Sequence, residues 1–293
     1  MASVQNLGAS LYVPATNKNL LAVANGTKYP NLRSVIFCTE DSVAEAELQE
    51  GLRNVYHVMD EMGPCRALRF VRPRNSVILQ RILDMPGVEK LDGFVLPKFT
   101  CRNMPDYFKL LRNTSFKIMP TLETAEVFDD QQMRQLRDSL LDSDWAQSVL
   151  AMRIGGNDLL ATLGMRRPRD RTIYETPIGA VISSLVRIFK PVGIQLTAPV
   201  FEYLEDPAVL EEEIRSDMAY GLVGKTAIHP SQIDFIEQFY RVNSDDLAVA
   251  QRLLLPNGTG VFKMNGAMCE PATHAPWAHQ IVERASIYGL VAN

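Results

Sequence analysis

The sequence predicts an α/β fold, a (β/α)₈ TIM barrel with a short C-terminal helical lid extension, on three observations. Short apolar runs alternate with longer amphipathic stretches, which argues for parallel βα units. Eight such runs occur, the number that closes a barrel. The chain has 293 residues, enough for a barrel of ~250 residues plus an extension. An open doubly wound sheet is the alternative, and it is disfavoured because no GxGxxG follows an early strand.

The eight runs are Ser10–Val13, Ser34–Phe37, Ala67–Val71, Gly93–Leu96, Lys117–Pro120, Val149–Ile154, Gly193–Leu196 and Gly221–Thr226. The clearest helix is Ser42–Met62, with Val43, Leu48, Leu52, Val55 and Val58 on one face. Asp41 or Ser42 is placed to cap it, and Glu45 and Glu47 suit its first turns. Further helices are expected over Val77–Leu83, Ala125–Leu141, Pro177–Phe189, Pro207–Tyr220 and Ser231–Val242. The barrel is expected to occupy residues 1–242. Residues 243–293 then form a lid or oligomerisation extension, with a helix over Ser244–Leu254 and a turn at Pro256-Asn257-Gly258. That tail is too short for an ordinary independent domain.

Composition narrows the function classes. Hydrophobic residues make up 46% and charged residues 22%, values that build a large core. The net charge of −4 gives no general attraction to nucleic acid or an anionic membrane. Cys38, Cys65, Cys101 and Cys269 form no CxxC pair, which argues against a zinc ribbon and for free thiols. No window supplies the ~20 apolar residues of a membrane span, and MASVQNLGAS lacks the pattern of a signal peptide. A cytoplasmic location is expected.

Barrel enzymes place their chemistry at the C-terminal ends of strands. Glu123 follows the run ending at Pro120, and Asp158 follows Gly155-Gly156-Asn157 after the run ending at Ile154. Two carboxylates at successive strand ends suit a hard divalent cation, Mg²⁺ (or Mn²⁺), which takes one or two carboxylates plus water and substrate oxygens. The glycines allow close approach of backbone and ligand, so Gly156 and Asn157 are candidate substrate contacts. Arg69, Arg72 and Arg74 cluster at the third strand's end, and Arg72 is best placed to fork onto a substrate carboxylate. Glu40 and Asp41 follow the second strand, where one acid can orient an arginine or a water and Asp41 can instead cap a helix. Lys98 suits an ion pair better than a Schiff base, which needs a depressed pKa. His229 suits a strand–helix turn better than a general base. His57 is expected inside a helix, and His274 and His279 lack the spacing of a zinc helix.

These motifs resemble a known family. PTLET at Pro120–Thr124, GGNDLLATLG from Gly155 and GLVGKTAIHPSQI at Gly221–Ile233 are similar to the citrate lyase beta-subunit-like, or HpcH/HpaI aldolase, superfamily of TIM barrels. The tail MNGAMCEPATHAPWAHQIVERA is most similar to the carbon–carbon lyases of tellurium-resistance-associated operons. The resemblance implies that Glu123 and Asp158 are metal ligands and that Arg72 meets the substrate carboxylate or developing enolate. Glu40 and Asp41 match the last acids of the family's DLED segment, with Cys38 in place of the first. Gly266-Ala267-Met268-Cys269-Glu270 matches a lid segment whose acid, Glu270 here and aspartate in relatives, acts from a neighbouring subunit in several of them. A homo-oligomer, a trimer or larger, follows. The arginine-containing stretch that helps relatives bind coenzyme A is replaced by PATNKN, with only Lys18 nearby, which leaves a coenzyme A thioester in question.

The expected activity is metal-dependent retro-aldol or retro-Claisen cleavage of a small 2-oxo or hydroxy acid, or the reverse condensation. Glu270, Asp41 or a metal-bound hydroxide are the candidate bases. A catalytically silent scaffold subunit of a stress-response operon and a phosphoenolpyruvate mutase-like enzyme are the rival readings.

Overall fold

A computed structural model describes residues 3–255 and 260–291, and the turn expected at Pro256-Asn257-Gly258 lies outside them. The chain forms two compact units, Met1–Ile233 and Asp234–Asn293.

In the first unit, parallel strands β1 (Ala9–Pro14), β2 (Ser34–Cys38), β3 (Leu68–Arg72), β4 (Gly93–Leu96), β5 (Lys117–Leu122), β6 (Met152–Ile154), β7 (Leu196–Thr197) and β8 (Lys225–Ala227) lie in the order β7-β6-β5-β4-β3-β2-β1-β8. The two ends of that order meet. Ala198, just past β7, bridges Lys225 in parallel, and its N–H donates to the Gly224 carbonyl at 3.0 Å. The TIM-barrel expectation therefore holds. The last two strands start later than their apolar runs suggest. Gly193 and Gly221, with φ of +87° and +70°, take left-handed turns ahead of them.

Helices α1 (Leu20–Ala24), α2 (Leu48–Glu61), α3 (Ser76–Leu83), α4 (Met104–Leu111), α5 (Asp130–Leu141), α6 (Gly156–Thr162), α7 (Pro177–Phe189), α8 (Pro207–Ala219) and α9 (Ser231–Glu237) alternate with the strands. α2 buries Leu48, Leu52, Val55, Val58 and Met59, close to the expected face. It starts later than expected, behind a 3₁₀ turn at Glu45–Glu47. Asp41 does not cap it, because that carboxylate is drawn to Lys98 and Arg72. The helix expected over Ala125–Leu141 breaks at Asp129, whose side chain accepts from the Gln131 N–H at 2.8 Å and starts α5.

Side chains two apart on a strand share a face. Ile36, Phe70, Met119 and Ala151 face inward and pack with Leu7 and Val95 into an apolar floor. Two residues further along the same strands, Cys38, Arg72, Thr121 and Arg153 line a cavity at the C-terminal mouth. The chain thus switches from oil to charge in one strand repeat.

The second unit holds α10 (Ser244–Leu253), an antiparallel hairpin of β9 (Phe262–Met264) and β10 (Ala267–Cys269), and α11 (Pro271–Tyr288). Asn265 and Gly266, with φ of +49° and +79°, form the two-residue turn that such hairpins favour. Val242, Ala250, Leu253, Cys269, Ala278 and Ile281 make its core. Among the described residues no helix is long and apolar enough to cross a membrane.

Candidate active site

The cavity measures about 450 Å³, within the usual range for small-molecule sites, and its wall includes Glu123, Asp158, Arg72, Asp41, Gly156 and Asn157. Residues from the ends of β2, β3, β5 and β6 therefore reach one mouth.

Glu123 stands one residue past β5 and is buried. Its Oε1 accepts from Arg72 Nη2 at 2.9 Å and from the Lys98 backbone N–H at 2.8 Å. Lys98 can aim that N–H because its φ is +47°, a left-handed conformation that costs a lysine ~1–3 kcal/mol and is characteristic of functional sites. Gly155 makes room on the other side. A Cβ there would lie 2.4 Å from Glu123 Cβ and 2.6 Å from Oε2. Gly156 serves packing as well as the wall, since a Cβ would come within 2.7 Å of Ile173 and 2.9 Å of Pro199. Asn157 donates from Nδ2 to Glu202 at 2.8 Å, which leaves its Oδ1 buried without a donor.

Arg72 is clamped by acids. Its Nη2 lies 3.0 Å from Glu40, 2.9 Å from Glu123 and 3.4 Å from Asp41. Burial opposes its charge, but Tyr12, Glu123 and Glu40 outweigh burial and raise its pKa. Glu40 is not on the cavity wall; it is buried behind it, bridging Arg72 and Lys98. Burial and a hydrogen bond with Asp41 push the Glu40 carboxyl up against the pull of Arg72 and Lys98. Burial also works to raise Asp41, yet the Glu40 hydrogen bond and the Arg72 and Lys98 charges hold it low. A carboxylate held low is a weaker proton acceptor.

Asp158 lies in the first turn of α6. Burial raises its carboxyl, and the Glu123 and Asp41 charges raise it further, against Lys98 and Arg72. The mouth thus carries more negative charge than its cations balance. Among the described residues no three His, Cys, Asp or Glu side chains converge on a metal position. Two carboxylates at an open cavity are the donor set of a hard cation completed by water and substrate oxygens, and Glu123 Oε2 lies free of the contacts made by Oε1. The residues fit Mg²⁺.

Several other expectations resolve. Arg69 points away from the mouth and donates to the Gly63 and Lys90 carbonyls at 2.7 and 3.0 Å. Arg74 ties the β2 loop, donating to Thr39 and Val43 carbonyls and pairing with Glu45. Lys98 is an ion-pair lysine. Burial would lower its ammonium, but Glu40 and Asp41 raise it, opposite to the shift a Schiff base needs. His229 is exposed, and its Nδ1 accepts from the Ser231 N–H at 3.2 Å, fixing the turn into α9. Glu270 belongs to the second unit, where its backbone N–H donates to His274 Nδ1 at 3.1 Å ahead of α11.

Sequence reasoning missed Tyr12, Thr121, Arg153 and Thr226, all on the cavity wall. The available signal was the period of two: Arg153 shares the inward face of Ala151, as Thr121 shares that of Met119.

Comparison with known proteins agrees with this fold. The family model for C–C bond lyases of the TIM-barrel fold matches residues 1–290. A (3S)-malyl-CoA thioesterase of Cereibacter sphaeroides is 22% identical over 289 residues, 94% of this chain and 93% of that protein. Citrate lyase subunit beta of Escherichia coli is 23% identical over 297 residues, 96% of this chain and 93% of that protein. The crystal structure of CitE from Mycobacterium tuberculosis, in complex with magnesium, acetoacetate and coenzyme A, superposes with a TM-score of 0.68 at 23% identity. It covers 95% of this chain and 98% of that one.

Proposed function

The chain belongs to the C–C bond lyase family of the TIM-barrel fold, and from that premise we propose that it is a Mg²⁺-dependent lyase that cleaves, or in reverse forms, a carbon–carbon bond in a small 2-oxo or hydroxy acid. One observation carries the reading: Glu123 and Asp158, from the ends of two adjacent strands, line a single cavity together with Arg72.

Glu123, through Oε2, and Asp158 would hold the cation. When bound, Mg²⁺ supplies a Lewis acid that stabilises negative charge developing on the substrate's oxygen as the bond breaks. Arg72 shares that charge. Its guanidinium is fixed by Glu40 and Glu123 before substrate arrives, so little reorganisation is spent at the reacting centre. The Lys98 backbone N–H and the missing Cβ of Gly155 hold Glu123 in place. In the retro-aldol direction a base takes the hydroxyl proton, the carbonyl forms, and the electron pair of the broken bond passes to the departing carbon. By its match to the lid acid that acts from a neighbouring subunit in several relatives, Glu270 of a second copy is the favoured base, because Asp41 is held low by its ion pairs.

Relatives support the substrate class. The magnesium, acetoacetate and coenzyme A of the M. tuberculosis structure extend the proposal to a thioester partner, which Lys18 and PATNKN would meet without the relatives' arginines. The tail supports placement among the lyases of tellurium-resistance operons and a homo-oligomer of three or more copies, which sedimentation can test; a cytoplasmic location is part of the same proposal. The decisive experiment is calorimetry of Mg²⁺ with pyruvate, in wild type and in Glu123→Gln and Asp158→Asn. The lyase reading expects binding that both substitutions remove. Absence of binding across several 2-oxo acids supports the scaffold reading instead.

A further inference from the structure

Arg153 is buried, 2% exposed, on the wall of the cavity, yet no carboxylate among the described residues lies within 4.0 Å of it. Its Nη2 donates to Thr226 Oγ1 at 2.6 Å, and its Nη1 lies 3.8 Å from Met119 Sδ. Its guanidinium packs 5.4 Å from the centre of the Tyr12 ring. A neutral hydroxyl, a thioether and a ring face are weak company for a buried cation, which ordinarily needs an anion to offset its lost hydration. The contrast with Arg72 is direct. Arg72 faces the same Tyr12 ring at 5.9 Å but is clamped by Glu40, Glu123 and Asp41.

Two further donors at this wall lack acceptors. The Thr121 hydroxyl and Arg72 Nε are both buried without a hydrogen-bond partner. Arg153, the Thr121 hydroxyl and Arg72 Nε on this wall therefore want an anion that the chain does not supply. The carboxylates that do line the cavity, Glu123, Asp158 and Asp41, would repel a substrate anion at their own end unless a cation intervened.

We propose that Arg153, with Thr121, forms a second anion subsite beneath the metal-binding carboxylates, and that the substrate is a dicarboxylate whose distal carboxylate forks onto Arg153. This rests on the lyase reading above, in which the oxo-acid end sits at Glu123, Asp158 and Arg72. Arg153 is then the specificity-determining residue that separates dicarboxylic from monocarboxylic oxo acids. Arginine suits the role because its planar fork matches a carboxylate in two places.

The test is calorimetry of the full chain in Mg²⁺, with pyruvate as the monocarboxylate probe and oxaloacetate and 2-oxoglutarate as dicarboxylates. Wild type is expected to bind one of the dicarboxylates roughly 10–100-fold more tightly than pyruvate, the worth of one charge-assisted hydrogen-bonding pair. Arg153→Gln should remove that preference and leave pyruvate binding within about threefold, while Arg153→Lys should keep part of it. A wild type that binds pyruvate as tightly as both dicarboxylates overturns the subsite and leaves the lyase reading standing, and this arm needs no variant to fold. A wild type that binds no oxo acid overturns the lyase reading itself. A preference that survives intact in folded Arg153→Gln, checked by its melting curve, also sinks the assignment.

Discussion

The barrel unit holds two clusters of charge built from the same residue types to opposite ends. At the mouth, Glu40, Asp41, Glu123 and Asp158 surround Arg72 and Lys98, beside a cavity. On the flank, Arg167 and Lys225 meet Glu213 and Asp217, with side chains 0–2% exposed. The flank cluster is balanced, two cations against two carboxylates, and it is wired shut. Lys225 Nζ reaches Glu213 at 2.9 Å and Asp217 at 2.7 Å, Arg167 reaches Glu213 at 2.5 Å, and the Tyr174 hydroxyl donates to Asp217 at 2.6 Å. Glu213 also accepts from the Ile173 N–H at 2.8 Å. The mouth instead has carboxylates to spare, four against the three cations Arg72, Lys98 and Arg153. A buried network whose charges pair with one another ties β8, α8 and the 167–175 segment together; one left short of positive charge is prepared for a cation from outside.

The sharpest way to break this comparison is to neutralise the mouth. Glu123→Gln or Asp158→Asn should cut Mg²⁺-dependent turnover by roughly 10³-fold or more, with a melting temperature within a few degrees of wild type, because Arg72 keeps Glu40 as its partner and the repulsion between Glu123 and Asp158 is relieved. The flank should answer in reverse. Glu213→Gln strands Lys225 and Arg167 in an apolar setting and should cost about 3–5 kcal/mol of unfolding free energy in urea, while kcat/KM of the folded fraction stays near wild type. Should Glu213→Gln instead leave stability alone and abolish activity, the division of labour is wrong. Gly155→Ala is the intermediate case. Its methyl would press on Glu123 at 2.4 Å, and a ~1 Å displacement of that carboxylate should lower kcat by about 10²-fold without unfolding the barrel.

The two clusters also differ in how much of them could be read beforehand. Glu123 and Asp158 were legible because they sit where a strand ends, a position that the apolar run marks. Arg153 and Lys225 lie inside the runs, and whether such a residue faces the barrel or the helices depends on register, which one sequence does not print. Lys225 faces outward to α8 and Thr226 inward to Arg153, one residue apart. The flank partners lie as far apart as Arg167 and Lys225, and no local spacing announces them. Strand order and number followed from the alternation of patterns. α6 did not, because it begins within the glycine motif, and glycine argues for a loop. Pro276 hid α11 in the same way, since a proline inside a helix reads as its end.

The smallest expected effect separates the two flank acids from each other. Burial pushes Asp217 up to about 6, with Glu213 adding and Lys225 opposing, whereas Glu213 is held low by Lys225 and Arg167 against burial. Asp217 is thus protonated more readily in the folded chain than in the unfolded one. Its contribution favours the fold at low pH and is lost as pH rises from the ordinary carboxylate range to about 6. Glu213 runs the other way, its contribution present above the ordinary range and lost on acidification. Asp217→Asn keeps an acceptor for Tyr174 or Lys225 and removes the ionisation, so it should cost about 1 kcal/mol or less at pH 7, far below Glu213→Gln. It should also abolish the fall in stability between pH 4 and 6 that Asp217 contributes. Urea unfolding of wild type and Asp217→Asn across that interval measures both. Parallel curves would mean that Asp217 ionises in the fold as it does in water, leaving Glu213 alone to hold the lysine.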